Sequence, residues 1–373
     1  MEGPGQVSDL RYTDTEEELR AAVRGLLTDR APAAAVLARA ESGTPHDPAL
    51  WEALGAGIGA AGLLVPEKLG GQGAGPREAA VVLEELGRAV TPVPYLTSSV
   101  IATEALLACD AQLPAVARLL ASLAAGTAVA VIALPLTLGP GAPAPAPVRD
   151  TGGGLLSGTV TSVADAAAAD VLLVLADTGL FAVRAEEAGI DPAVPLDLTR
   201  PLATVRFDRA YGEPIAGPVT AAAVLRRALL AGAGLLASEQ LGLADWCLAE
   251  TVRHVRERHQ FNRPVGSFQA LKHRLAQLWL EVAQARAAAR NAADALATGD
   301  TETALAVSLA QAYCSRVAVR AAEECVQLHG GIGMTWEHPA HLYLKRAKAD
   351  SLALGTIGHH HDRIAQLAAL PAP

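Results

Sequence analysis

Four cysteines and a run of three histidines are the side chains whose types alone could do thiol or metal chemistry in this chain. Cys109, Cys247, Cys314 and Cys325 show no pairing at metal-ligand spacing. A reducing compartment would keep them as thiols, and they read as buried apolar thiols rather than reactive ones. His359, His360 and His361 are consecutive. Adjacent positions on a helix differ by ~100°, so three in a row do not all face one ion. They read as a polar segment near a helix. Asp362-Arg363-Ile364 follow, so the run is internal and not a purification tag.

Composition excludes some functions. The 373 residues are 51% hydrophobic and 18% charged, enough for a large buried core and for two or three domains. The net charge of −9 gives no support for a nucleic-acid surface. No charge-free run of 18 apolar residues suggests a membrane partner. The N-terminus, rich in acids, has neither a basic n-region nor an apolar h-region. The expected location is cytoplasmic.

Three zones must position any site. Residues 1–126 read as a helical domain. Thr13-Asp14-Thr15-Glu16-Glu17-Glu18 places caps and acids at a helix start. Leu50, Leu54 and Ile58 recur at helical spacing, and Gly70-Gly71 ends that segment. Glu78 to Val90 is a further amphipathic helix, stopped by Pro92 and Pro94. Residues 127–217 change character: Ala128–Ala133, Gly158–Val163, Val171–Leu175 and Ala203–Phe207 are β-branched or alternating runs separated by Gly and Pro. They predict a small antiparallel β domain with a low-complexity first loop, 138–148. Residues 218–373 return to long Ala-rich helices suited to an antiparallel bundle. Ser267 is expected to cap one, with Leu271, Leu275, Leu278 and Val282 as its stripe and Gly299 as its end. The fold class is mainly α with a central β domain.

Four motifs in these zones resemble the signatures of the acyl-CoA dehydrogenase family, along nearly the whole chain. They are Leu64-Val65-Pro66-Glu67-Lys68-Leu69-Gly70-Gly71, then Val82-Leu83-Glu84-Glu85-Leu86-Gly87-Arg88. The most specific runs from Arg256-Glu257-Arg258-His259-Gln260-Phe261-Asn262-Arg263 to Gln269, and the last is Gln327-Leu328-His329-Gly330-Gly331-Ile332-Gly333. The resemblance implies FAD as cofactor and an acyl-CoA thioester as substrate. It also implies an electron-transfer flavoprotein or similar acceptor. In that chemistry a carboxylate removes the α-proton and a hydride passes to the flavin.

In such proteins each FAD lies between two subunits. One supplies ring contacts from its β domain and the other supplies pyrophosphate and adenosine contacts from its bundle. The bundle half is present here. Arg258 matches the arginine that pairs with the pyrophosphate, a task suited to a guanidinium fork. Gln260 and Phe261 belong to the same signature, and Gln269 matches a polar FAD contact. Gln327, Gly330 and Gly331 match the loop where backbone approaches the cofactor, which favours glycine. Thr356 matches a hydroxyl near the flavin.

The ring half departs from the family. Its Thr-Glu-Pro and Gly-Ser-Asp are replaced by Ala133-Leu134-Pro135 and the Ala-Pro loop. Its aromatic-aliphatic-Thr motif aligns with Ser162-Val163-Ala164, and Ala164 has no hydrogen bond to offer a flavin. The usual Tyr-Glu-Gly-Thr aligns with Ala353-Leu354-Gly355-Thr356, so the base position is Leu354 and no catalytic base is assigned. An alternative base position on the first bundle helix falls at Gly232, and Glu239 is the nearest carboxylate. The small residues Ala231, Gly232, Ala233 and Gly234 fit either room for a bulky acyl group or a tight helix crossing. The pattern resembles the non-catalytic-type subunit of heteromeric bacterial acyl-CoA dehydrogenases of sterol breakdown. It implies an unlike partner in a heterotetramer. Two alternatives stay open: a homotetramer with a noncanonical base, and a flavin-free structural or regulatory relative.

Overall fold

The computed structural model describes residues 9–143, 145 and 147–370. The chain starts with α1 (Asp14–Arg30), where Thr13 and Glu16 form a reciprocal capping box. Short α2 (Ala33–Ala40) and α3 (Pro48–Glu52) follow. α4 (Pro76–Ala89) ends on Val90, in the left-handed region at φ 48°. A π-helical stretch, Tyr95–Ala102, runs into α5 (Thr103–Leu107), and α6 (Pro114–Ala124) completes the zone.

The β domain holds β1 (Ala130–Ile132), β2 (Val148–Asp150), β3 (Leu155–Ala164), β4 (Val171–Ala176), β5 (Gly179–Arg184), β6 (Gly189–Ala193) and β7 (Leu202–Ala216). Pairings β4–β5, β5–β7, β7–β3, β3–β2 and β2–β4 close on themselves, which leaves few open edges. The antiparallel expectation holds for most of these. It is corrected at β1 and β2, which run parallel to β4, with Ala130 beside Val171 and Val148 beside Ala176. Three strands, β2, β5 and β6, escaped the sequence reading. β2 has three residues, and β6 is largely exposed and contains Pro192.

The bundle consists of α7 (Pro218–Glu257), a hairpin of β8 (His259–Gln260) and β9 (Arg263–Pro264), α8 (Gln269–Thr298), α9 (Thr303–His329), α10 (Ala340–Asp350) and α11 (Ile357–Leu367). α7 is long and apolar enough to cross a membrane, yet most of its apolar stretch is buried inside the protein. Glycines set its crossing with α4: a Cβ on Gly87 would strike the Glu239 carbonyl, and one on Gly242 the Glu84 carbonyl. Gly87 of the second motif is therefore a packing residue. Gly299 ends α8 at φ 67°, as expected. Ser267 is not the cap. It sits in a preceding 3-10 turn with its hydroxyl buried and without a partner among the described residues, and α8 starts directly after Phe268.

A buried ion network ties the β domain to the bundle. Arg200, before β7, donates to Glu239 on α7 at 2.7 Å and to Asp350 on α10 at 2.5 Å. Arg346 pairs with Glu239 and with Asp197. Burial alone would raise Glu239, but Arg200 and Arg346 hold it below the usual carboxylate range. With all groups ionised, two cations face three carboxylates.

Candidate functional site

The most open part of the retained signature lies where α7 and α9 end. Arg258 is the C-cap of α7: its N–H donates to the His254 carbonyl at 2.8 Å, and its own carbonyl accepts from Val265 at 2.8 Å. The β8–β9 hairpin then turns through Phe261 at φ 52° and Asn262 at φ 60°, the two left-handed residues of a tight hairpin. That turn leaves Phe261 87% exposed. Arg263 lies over the Phe268 ring at 4.0 Å, and Phe261 meets Phe268 edge to face at 6.1 Å. This fixes the hairpin against the start of α8, where Gln269 is exposed.

α9 delivers the second motif. Gln327, in its last turn, accepts the Gly330 N–H through its carbonyl, and its side chain is exposed. Gly330 has φ 63° and ψ −138°, a conformation that requires glycine. A Cβ on Gly330 or Gly331 would meet nothing within 4 Å, so both backbones face open space. The two helix ends are joined by the His254 and His329 rings, with centroids 4.2 Å apart. Arg258, Gln260, Phe261, Gln269, Gln327, Gly330 and Gly331 are all exposed around this end. They form an exposed surface.

The other motif positions converge elsewhere, and there the chain closes on itself. The Leu354 N–H donates to the Leu136 carbonyl at 2.7 Å, and the Leu136 N–H donates to the Ser162 carbonyl at 3.0 Å. The first β-domain loop, the Ser162-Val163-Ala164 motif and the base position are thus bonded directly to one another. Between them lies an apolar cavity of about 30 Å³, lined by Ile101, Leu134, Leu136, Ala164, Leu229 and Leu354 among others. That volume suits a single water, not a tricyclic ring, whose pockets run to ~300 Å³ or more. Ser162 and Leu354 both take left-handed backbone, at φ 58° and 52°.

Gly232 faces the same spot. A Cβ there would lie 2.8 Å from Ile101 and 3.2 Å from Leu354. Gly234 is filled likewise by Leu296 and Val307. Gly232 and Gly234 therefore serve tight helix crossings, whereas Ala231 lines a separate cavity of about 380 Å³ with Leu230, Leu296 and Gly299. Loop residues 139–141 continue the closure: the His359 Nε2 bonds the Pro140 carbonyl at 3.1 Å, and Gly139 packs on Gly355. His360 is fully buried, bonds the Leu354 carbonyl, and is pushed down to about 4 by burial. The histidine run is therefore a closure element, not the simple polar segment expected from sequence. Ala144 and Ala146 of the low-complexity loop lie outside the described residues.

The acyl-CoA dehydrogenase N-terminal domain pattern matches residues 13–127, and the C-terminal domain pattern matches residues 222–368. Acyl-CoA dehydrogenase IpdE2 of Mycolicibacterium smegmatis is 35% identical over 343 residues, 92% of this chain and 95% of that protein. The chain belongs to the acyl-CoA dehydrogenase family. IpdE2 of Mycobacterium tuberculosis is 36% identical, over 91% of this chain and 93% of its own length. Among solved structures, the ChsE4–ChsE5 complex of Mycobacterium tuberculosis superposes with TM-score 0.84 at 26% identity, covering 98% of this chain and 100% of that one. The Tcur3481–Tcur3483 steroid ACAD, solved as a variant, gives 0.83 at 29%, over 95% and 98%.

Acyl-CoA dehydrogenases bind FAD, so the residues here can be tested against it. The α7–α9 end offers a phosphate-bearing cofactor an exposed guanidinium, two unshielded glycine backbones and exposed amides, with the Arg258 charge offsetting the negative C-terminal ends of the two helices. The closed side does not fit a flavin ring. Thr356 belongs to that side, and its Oγ1 accepts the His359 N–H as the cap of α11. The four cysteines are buried, as expected. Sequence reading missed the Leu136 bridge, which is made of backbone and leaves no residue-type signal. It also missed the histidines at the α7–α9 junction, which are spread over 85 residues.

Proposed function

We propose that this chain is the half-site subunit of a heteromeric acyl-CoA dehydrogenase, lending its α7–α9 end to an FAD whose ring is held by an unlike partner. The observation that carries this reading is the Leu136–Leu354 hydrogen bond, which closes the ring side while the opposite end stays open. FAD, when bound, supplies the acceptor for the hydride taken from the acyl-CoA. This chain's part is to grip: Arg258 pairs with the pyrophosphate, Gly330 and Gly331 let backbone approach, and Gln269 and Gln327 offer amides. Phe261, projecting from the hairpin, covers the cofactor from water.

Deprotonation falls to the partner. Leu354 and Gly232 carry no proton acceptor, and Glu239 is locked by Arg200 and Arg346. The two heteromeric relatives support assembly with an unlike subunit, and the steroid dehydrogenase among them supports a steroid acyl-CoA as the substrate class. An electron-transfer flavoprotein or similar acceptor would reoxidise the flavin. The visible absorbance of the purified chain tests the reading. Colourless protein that gains flavin absorbance only with its partner is the expected result, and a full flavin complement on the chain alone would overturn it.

A further inference from the structure

The half-site rests on a cluster that no cofactor contact explains. His329 lies between two other imidazoles: its ring centroid is 4.2 Å from His254 and 4.1 Å from His338. His329 directly precedes Gly330, His338 closes the loop after it, and His254 lies one turn before Arg258. Glu250, on α7, faces two of the rings, with its Oε1 3.8 Å from His329 Nε2 and 3.5 Å from His338 Nε2. Arg253 pairs with the same carboxylate and keeps it ionised. Cys247 and Thr251 on α7, Cys325 on α9 and Tyr343 on α10 complete the surroundings.

The hydrogen bonds assign the protons. His329 Nδ1–H donates to the Cys325 carbonyl at 2.6 Å, so a neutral ring would direct a bare Nε2 lone pair at Glu250. That Nε2 is buried and has no hydrogen-bond partner among the described residues. His338 Nδ1 accepts the Ala340 N–H at 3.2 Å, so its Nε2 carries hydrogen and points it toward Glu250. Glu250, His329 and His338 are close enough to suggest a divalent cation, their ligand atoms lying within 4.8 Å of one another. His338 argues against one, because the nitrogen nearest Glu250 has no lone pair to give. A proton on His329 Nε2 resolves the contact without a metal.

We infer that Glu250, His329 and His338 form a proton-operated brace, in which the His329–Glu250 pair holds the Gly330–Gly331 loop against the end of α7 and so sets the grip on FAD. The inference rests on the half-site reading above. Burial opposes protonation of His329, but its bonds with Cys325, the charge of the Cys325 thiolate and, after it, that of Glu250 outweigh that and raise its pKa above the usual 6.5. Burial and the neighbouring His329 charge lower His254 and His338, so one proton occupies the stack. For a raised histidine the contribution is complete below the usual value and is lost as pH rises through the raised one. His329, His338 and Glu250 are positioning residues, since none is placed on the cofactor.

The test measures FAD affinity of the co-purified heteromeric complex between pH 6 and pH 9, alongside the histidine ring NMR titration of the chain without FAD. The expected dissociation constant rises roughly fivefold to tenfold over that range, and the His329 resonance titrates above 6.5. Glu250→Gln should flatten the pH dependence, because a neutral side chain at this position no longer favours a proton on His329. His329→Gln should bind FAD more weakly at pH 6 without pH dependence. A flat wild-type profile, or persistent pH dependence in Glu250→Gln, overturns the brace. If Arg258→Ala still weakens FAD binding in that case, the half-site reading survives. If Arg258→Ala has no effect, the half-site reading falls and the brace with it. One tightly held zinc per chain, lost on His338→Gln, would replace the proton with a metal.

Discussion

Arg258 shows what a single residue contributes. Its backbone is committed at both ends, to His254 and to Val265, while its side chain is exposed. Arg258→Ala should therefore leave folding nearly unchanged and weaken flavin retention by roughly 1.5–3 kcal/mol. Flavin content of the complex after gel filtration checks this. Leu354→Glu is the opposite case. The new carboxylate would enter a small apolar cavity between Leu136 and Ile101, with no cation assigned to it. Several kcal/mol of destabilisation should follow, with no dehydrogenase activity in the single chain. A lowered melting temperature supports this, and steady acyl-CoA turnover would show that the ring side is functional. At this scale the sequence was informative where side chains act. Leu354, Ala164 and Gly232 were legible as losses because each lacks a specific atom. Their convergence on one cavity was not legible, since it depends on Leu136 backbone bonds that any residue could make.

Elements were legible where periodicity is long. α4, α8, β3 and β4 were close to their expected bounds, because amphipathic spacing and β-branching persist there, whereas β7 runs on to Ala216 past the expected end at Phe207. Element joints were not. The network of Arg200, Arg346, Asp197, Glu239 and Asp350 draws on residues up to 153 positions apart, and no local pattern announces it. It makes a pH-dependent joint between the β domain, α7 and α10. Its carboxylates outnumber its cations by one, and one Asp350 oxygen is buried without a partner among the described residues. Burial pushes the Asp350 carboxyl up to about 7, although Arg200 pulls it down. The folded state thus holds a proton that the unfolded state releases near the usual 3.8, so stability falls as pH rises between those values. Buried His360, held near 4, acts in the opposite sense, so Asp350 contributes the part of the melting-temperature difference between pH 5.5 and pH 7.5 that favours the lower pH. Asp350→Asn should reduce that difference while keeping the acceptor for Arg200.

On the scale of the whole molecule, the two sides of the FAD site differ in kind. The α7–α9 end is an uncovered surface with a projecting Phe261, whereas the β-domain side is sealed by Leu136, Leu354 and the loop over His359. Two copies of this chain would bring open grips to two sealed ring sides, and neither site would be whole. Paired with an unlike subunit whose ring side is open, one composite site becomes complete. The second combines this chain's sealed side with the partner's grip and should stay empty. The expected working assembly is a dimer of heterodimers with one FAD per heterodimer. The exposed Trp279, Leu280 and Leu309 of the bundle give the chain apolar surface for self-association as well, so oligomer size alone does not decide the matter. Flavin stoichiometry does. Native mass and flavin absorbance on the co-expressed complex should give half a flavin per chain. One flavin for every chain, or a homo-oligomer that oxidises acyl-CoA unaided, would mean that the Leu136–Leu354 closure opens in solution and that the site is not shared.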